Sequence, residues 1–162
     1  MRRPVRAFRM VHDLVMIVMR GGWVLLVFVA VFVGVGAATS PMLQITSCEI
    51  GMYSREVPNL EVCNASIWSY FGMAAGPVLA VPVLVCLISV FLPGRRVAWL
   101  ATAALFGLSI VGFFAMVFSS KPGLDDLLGF FWPVAFLAVL VTGLAQWVGR
   151  RRSGPGHLQR AP

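Results

Sequence analysis

The run from Gly22 to Thr39, GWVLLVFVAVFVGVGAAT, contains 18 residues and no charge. A bilayer core about 30 Å thick is crossed by roughly 20 apolar residues of α-helix, so this stretch alone predicts a membrane span. Three more charge-free runs follow, at 71–92, 97–118 and 127–148. Of the 162 residues, 59% are apolar and 12% are charged, with a mean hydropathy of +0.89. A chain this small with so little charge cannot hide four such runs in water, which excludes an ordinary soluble fold. Barrel strands would show segments of about 10 residues with alternating polarity, and these runs do not alternate. The expected fold is an all-α membrane protein, a four-transmembrane-helix bundle.

Orientation follows from the basic residues, because Lys and Arg in short loops stay on the cytoplasmic side. Arg2, Arg3, Arg6, Arg9 and Arg20 precede span one, Arg95 and Arg96 separate spans two and three, and Arg150, Arg151, Arg152 and Arg160 follow span four. Arg55 and Lys121 fall in the other two loops, together with Glu49, Glu56, Glu61, Asp125 and Asp126. The net charge of +7 divides into +10 on the first side, with Asp13 counted, and −3 on the second. The prediction is N-in and C-in, with residues 1–21 as a basic cytoplasmic segment, 22–148 as the membrane domain, 40–70 as an outer loop and 149–162 as a disordered basic tail. A pI of 10.7 then reports membrane orientation rather than nucleic-acid binding. Arg6, Arg9, Arg95, Arg96, Arg150, Arg151 and Arg152 are the residues expected to meet anionic lipid headgroups of a cell membrane.

Trp23, Trp68, Trp99, Trp132 and Trp147 all fall at or near span ends, where the indole finds both an apolar and a polar environment. Before span one, Arg6, Arg9, Asp13 and Arg20 share one helical stripe, with Phe8, Val11, Val15 and Met19 opposite. That pattern fits either an interfacial helix or a long first span whose Arg20 snorkels to the surface. A cleavable signal peptide is the rival reading of this end. The apolar run exceeds the usual 7–15 residues of a signal core, which counts against it.

The 40–70 loop is too short to build a core and needs a staple. Cys48 and Cys63 are the two cysteines in it, on the side where oxidation is permitted, so a disulfide between them is expected. Four-span disulfide-generating enzymes resemble this chain in size and in having outer cysteines. The C-x-x-C pair on which they depend is absent here, and Cys86 lies mid-span, where a thiol is usually a packing residue. Four-span junction and tetraspanin-type proteins share the layout of a larger first outer loop, without their signature residues being present. His12 and His157 sit at opposite ends of the chain, which offers no cluster for a metal, and no phosphate loop or nucleophile elbow occurs. No enzymatic activity and no cofactor are therefore expected. Asp125 and Asp126 read as caps of span four.

Packing signals are better represented. Gly72 and Gly76 form a GxxxG pattern that predicts close helix approach, and Pro77 and Pro82 predict a kink in span two. Thr102, Ser109 and Gly112 share one face of span three, and Pro133 reads as a first-turn residue of span four. Spans one to four contain no ionisable side chain, a poor match to ion-coupled transport. The expected role is a non-enzymatic accessory, assembly or regulatory subunit that meets a membrane-protein partner. The alternative is a small homo-oligomeric transporter, channel or lipid-handling protein, using hydroxyls and backbone rather than fixed charge.

Overall fold

In the computed structural model, residues 4–42, 51, 55, 57–118 and 122–152 are described, and the side chains of those between 16 and 148. Among the described residues, six α-helices run in the order α1 (Pro4–Thr39), α2 (Leu60–Asn64), α3 (Ile67–Phe71), α4 (Ala75–Phe91), α5 (Arg95–Phe118) and α6 (Trp132–Arg152). Two 3-10 segments, Gly72–Ala74 and Asp125–Phe131, precede α4 and α6. No strand occurs among the described residues, where an isolated bridge joins Pro41 to Ser66. Four stretches are long and apolar enough to cross a membrane: Met16–Thr39, Ile67–Phe91, Arg95–Phe118 and Asp125–Val148. The protein is an all-helical, multi-pass membrane protein.

The helices form a ring in which α1 packs on α4 and α6, and α5 packs on α4 and α6. Trp23, Leu26 and Ala30 of α1 meet Leu105 of α5 and Val134 and Ala138 of α6 in one buried apolar cluster. Phe28, Phe32, Leu100, Phe114 and Leu140 point outward and remain more than half exposed, as lipid-facing side chains do.

Several boundaries differ from the sequence reading. Helix α1 is continuous over 36 residues and does not stop at the expected 21/22 boundary. Gly22 is held there by packing, since a Cβ on it would lie 2.7 Å from Val141 Cγ1. The side chains of Arg6, Arg9 and Arg150–Arg152 lie outside the described residues, as does Cys48. Cys63 is buried at the end of α2, and Cys86 is a buried free thiol in α4.

The second span begins at Ile67 and is interrupted at Gly72, ahead of its prolines. Gly72 ends α3 with φ of 58° and ψ of −139°, a conformation open chiefly to glycine. Pro77 lies in the first turn of α4, where its missing N–H costs nothing, and Pro82 is buried inside the helix. A Cβ on Gly72 would meet nothing within 4 Å among the described residues, and one on Gly76 would meet the Trp68 ring at 3.9 Å. Gly72 breaks the span, and Gly76 faces Trp68 of the same span rather than another long helix.

Trp68, Trp99, Trp132 and Trp147 are 42–59% exposed, as an interfacial belt requires. Trp23 is the exception at 0%, and its indole N–H has no partner in the structure. It belongs to the core because α1 starts well before it. The last turn of α1 is closed by its own hydroxyls: Thr39 Oγ1 donates to Val35 O at 3.0 Å, and Ser40 Oγ donates to Gly36 O at 2.8 Å. The base of the loop between α1 and α4 is then tied by Met42 N–H to Ala65 O and Ile67 N–H to Ser40 O, each at 2.9 Å. Asn59 and Ser66 cap α2 and α3, accepting from Val62 N–H and Ser69 N–H.

At mid-bundle, Thr102 Oγ1 donates to Ala98 O at 2.8 Å and lies 3.2 Å from Thr142 Oγ1. With the Thr102 proton committed to Ala98, Thr142 is the donor across the α5–α6 seam. A double-mutant cycle of Thr102→Val and Thr142→Val, read by reversible unfolding in bicelles, is expected to give a coupling of about 0.6–1.7 kcal/mol. Additive effects of the two changes would show that the hydroxyls do not interact.

Candidate functional site

Of the buried polar side chains among the described residues, Thr102, Ser109, Asp126 and Thr142 lie in the α5–α6 half of the bundle, and Ser89 lies on α4. At the end of the bundle away from Arg95 and Arg96, the chain does not rise directly from α5 into α6. The 3-10 segment Asp125–Phe131 packs chiefly on α5 and also touches α1 and α4. It reaches down to Gly112, which lies six residues, or about 9 Å at helical rise, below the end of α5. A Cβ on Gly112 would collide with Gly129 N and come within 2.6 Å of Leu128 C and 2.9 Å of Asp125 O. A Cβ on Gly129 would lie 3.2 Å from Gly112 C. Two backbones therefore touch here, and a side chain on Gly112 leaves no room for the contact.

That contact seats the 3-10 segment as a plug. Leu127 and Phe131 are at most 1% exposed, and the Phe131 ring lies 3.6 Å from a Cβ position on Gly34 of α1. Asp126 is carried in with them and is 1% exposed. Its Oδ2 accepts from Gly123 N–H at 2.7 Å, while Oδ1 has no partner in the structure. The expectation that Asp125 and Asp126 cap span four needs correcting in detail. Asp126 reaches back three residues to cap the N–H of Gly123, and α6 itself starts later, at Trp132 with Pro133 in its first turn. A buried carboxylate at this depth is a feature the charge-free spans did not foretell.

Beside the plug, a surface crevice of about 380 Å³ runs between α5 and the start of α6. Phe106, Phe113, Phe114, Trp132 and Phe136 line it with Ser109. The rings pack edge-on, Phe106 to Phe136 at 5.3 Å and Trp132 to Phe136 at 5.9 Å between centroids. Ser109 is 5% exposed, and its hydroxyl has no partner in the structure. Ser89 and Thr102 instead bond back to the carbonyl four residues earlier.

At the arginine-rich end, Arg95 Nη2 donates to Gln146 Oε1 at 3.2 Å, tying the first turn of α5 to the last turns of α6. Of the headgroup arginines, Arg95 and Arg96 are exposed at this end, and the helical backbone at Arg150–Arg152 continues α6 beyond Gln146. Gly72, Gly76 and Cys63 lie toward the other end, so the residues singled out from sequence do not converge on one site. Gly129 and the burial of Asp126 escaped the sequence reading. A glycine in each of the two facing apolar runs was the available signal for the contact. Among the described residues, no group of three or more His, Cys, Asp or Glu side chains is placed to hold a metal ion.

No family model, no curated protein and no solved structure matches this chain.

The close contact sets an order of tolerance among the glycines of α5. Gly112→Ala is expected to destabilise by about 3 kcal/mol, the upper end for overpacking, because backbone rather than a flexible side chain blocks the methyl. Gly107→Ala, where a Cβ meets nothing within 4 Å, is expected to be neutral or to stabilise by up to about 1 kcal/mol. Equal stability of the two variants in a detergent unfolding titration would contradict the plug geometry.

Proposed function

We propose that this protein is a non-enzymatic accessory, assembly or regulatory subunit of a membrane complex. In this reading it lies in the plasma membrane with both termini cytoplasmic. The observation that carries it is the use made of the buried polar groups. Thr102 and Thr142 join α5 to α6, Asp126 fastens the plug through Gly123, and the rest of the interior is filled by Trp23, Leu26, Leu105, Phe131 and Val134. The hydroxyl pair that joins two helices and the carboxylate that fastens the plug suit a scaffold that presents its outer surface to another membrane protein, although Ser109 Oγ, Asp126 Oδ1 and Trp23 Nε1 take no part in that.

The orientation rests on the charge asymmetry of the sequence, and the bond between Arg95 and Gln146 is consistent with it, since both lie at the arginine-rich end. The reading includes a Cys48–Cys63 disulfide across the outer loop. It is supported by the place of Cys63, buried at the end of α2 in the same loop that holds Cys48, on the side of the bundle away from the arginines.

One observation favours the alternative of a small homo-oligomeric transporter. Asp126 places an ionisable group inside the outer half of the bundle, where coupled transporters keep one to carry a proton or ion.

Proteoliposomes containing this chain alone, under an imposed proton or sodium gradient, are expected to show no protein-dependent flux. Gradient-driven flux that disappears in Asp126→Asn would overturn the subunit reading in favour of transport. The disulfide is tested by counting thiols in the denatured, unreduced protein. Cys48→Ser is expected to raise the count from one to two by releasing Cys63, and to lower stability by about 3 kcal/mol. A fall from three thiols to two would contradict the bridge.

A further inference from the structure

The inner end of the α5–α6 hairpin carries a charge that the hairpin itself does not balance. Arg95 and Arg96 occupy the first turn of α5, which contains no acidic residue, and Arg150, Arg151 and Arg152 end α6. From Asp126 to Pro162 the sequence has no further acid, nor is there one between Leu92 and Phe118. Cations at the N-terminal end of a helix also oppose its positive partial charge, so Arg95 and Arg96 sit where the helix itself disfavours them. Their positions call for a negative charge from outside the chain.

The surroundings define what brings it. Gln146 Oε1 holds the Arg95 guanidinium across the α5–α6 seam, so this donor is already oriented. Gln146 Nε2 is left without a partner in the structure, and the side-chain groups gathered here are donors. One turn along the same helix, on the membrane side of the arginines, Trp99 follows Arg95 and Leu100 follows Arg96, at 42% and 70% exposure. Leu144 and Trp147 continue this apolar surface on α6, at 61% and 51%. A cationic pair with one member oriented and exposed apolar side chains directly beneath it has the profile of a phospholipid: phosphate above, glycerol at the indoles, acyl chain along the leucines. A soluble anion would use the arginines and leave the apolar stripe unmatched.

We infer that one anionic phospholipid binds at this seam, with its phosphate on Arg95 and Arg96 and its chains along Trp99 and Leu100. The inference goes beyond the subunit reading and does not depend on it, since a transporter could carry the same lipid.

The test is native mass spectrometry of the full chain, released from nanodiscs of equal phosphatidylglycerol and phosphatidylcholine. Wild type is expected to retain one phosphatidylglycerol in preference to phosphatidylcholine. Arg95→Gln with Arg96→Gln is expected to reduce that retention about 30-fold, at roughly fivefold per arginine. Gln146→Leu is expected to weaken it severalfold by freeing Arg95, and Arg55→Gln, in the outer loop, is expected to leave it unchanged. Equal retention of the two lipids by wild type would overturn the inference whatever the variants do. So would displacement of the lipid by inorganic phosphate at equimolar concentration, which would mark a free-anion site. Undiminished retention by a folded double variant would overturn it as well.

Discussion

The structure depends on the contact between two backbones at Gly112 and Gly129. A methyl group on Gly112 would collide with the peptide at Leu128 and Gly129, so the 3-10 segment can lie against α5 only because no side chain intervenes. In a membrane there is no hydrophobic drive between helices, and close packing of small residues supplies much of their attraction. Here that packing acts between a helix and the segment that returns the chain into the bundle. From it follow the burial of Leu127 and Phe131, the position of Asp126, and the start of α6 at Trp132.

The two ends of the bundle are built on different physics. One end is plugged by apolar side chains and tied by backbone hydrogen bonds between the 40–42 and 65–67 stretches. The opposite, arginine-rich end is held by the bond of Arg95 to Gln146 and carries excess positive charge. Between them, the hydroxyl pair of Thr102 and Thr142 joins α5 to α6 in an interior with few other polar atoms. A molecule organised this way is firm inside and has its chemical variety at its surfaces. That is the pattern expected of a chain that works by contact with lipid and with other proteins.

Four spans were legible in the sequence because absence of charge over 18 or more residues is a direct consequence of crossing hydrocarbon. The positions of Trp68, Trp99, Trp132 and Trp147 were legible for the same reason. Features that depend on which residues meet in space were not. Gly72 and Gly76 carry the familiar spacing, yet Gly72 breaks a span; Gly112 and Gly129 have no shared motif, yet they make the tightest approach. Trp23 looked interfacial because the first span was taken to begin at Gly22, and the helix in fact starts at Pro4. Asp126 read as a surface cap because a carboxylate beside Asp125 and Gly123 ordinarily is one. Its burial follows from the plug, which no local pattern encodes. The face of α5 that carries Thr102, Ser109 and Gly112 was visible from helical periodicity and is buried in the structure.

The central claim is that the chain works as a component of a larger membrane assembly. The most direct measurement is the mass and composition of the particle purified from its own membrane in mild detergent. The account predicts a second protein in fixed stoichiometry with this chain. A homogeneous particle containing this chain and lipid alone would contradict it.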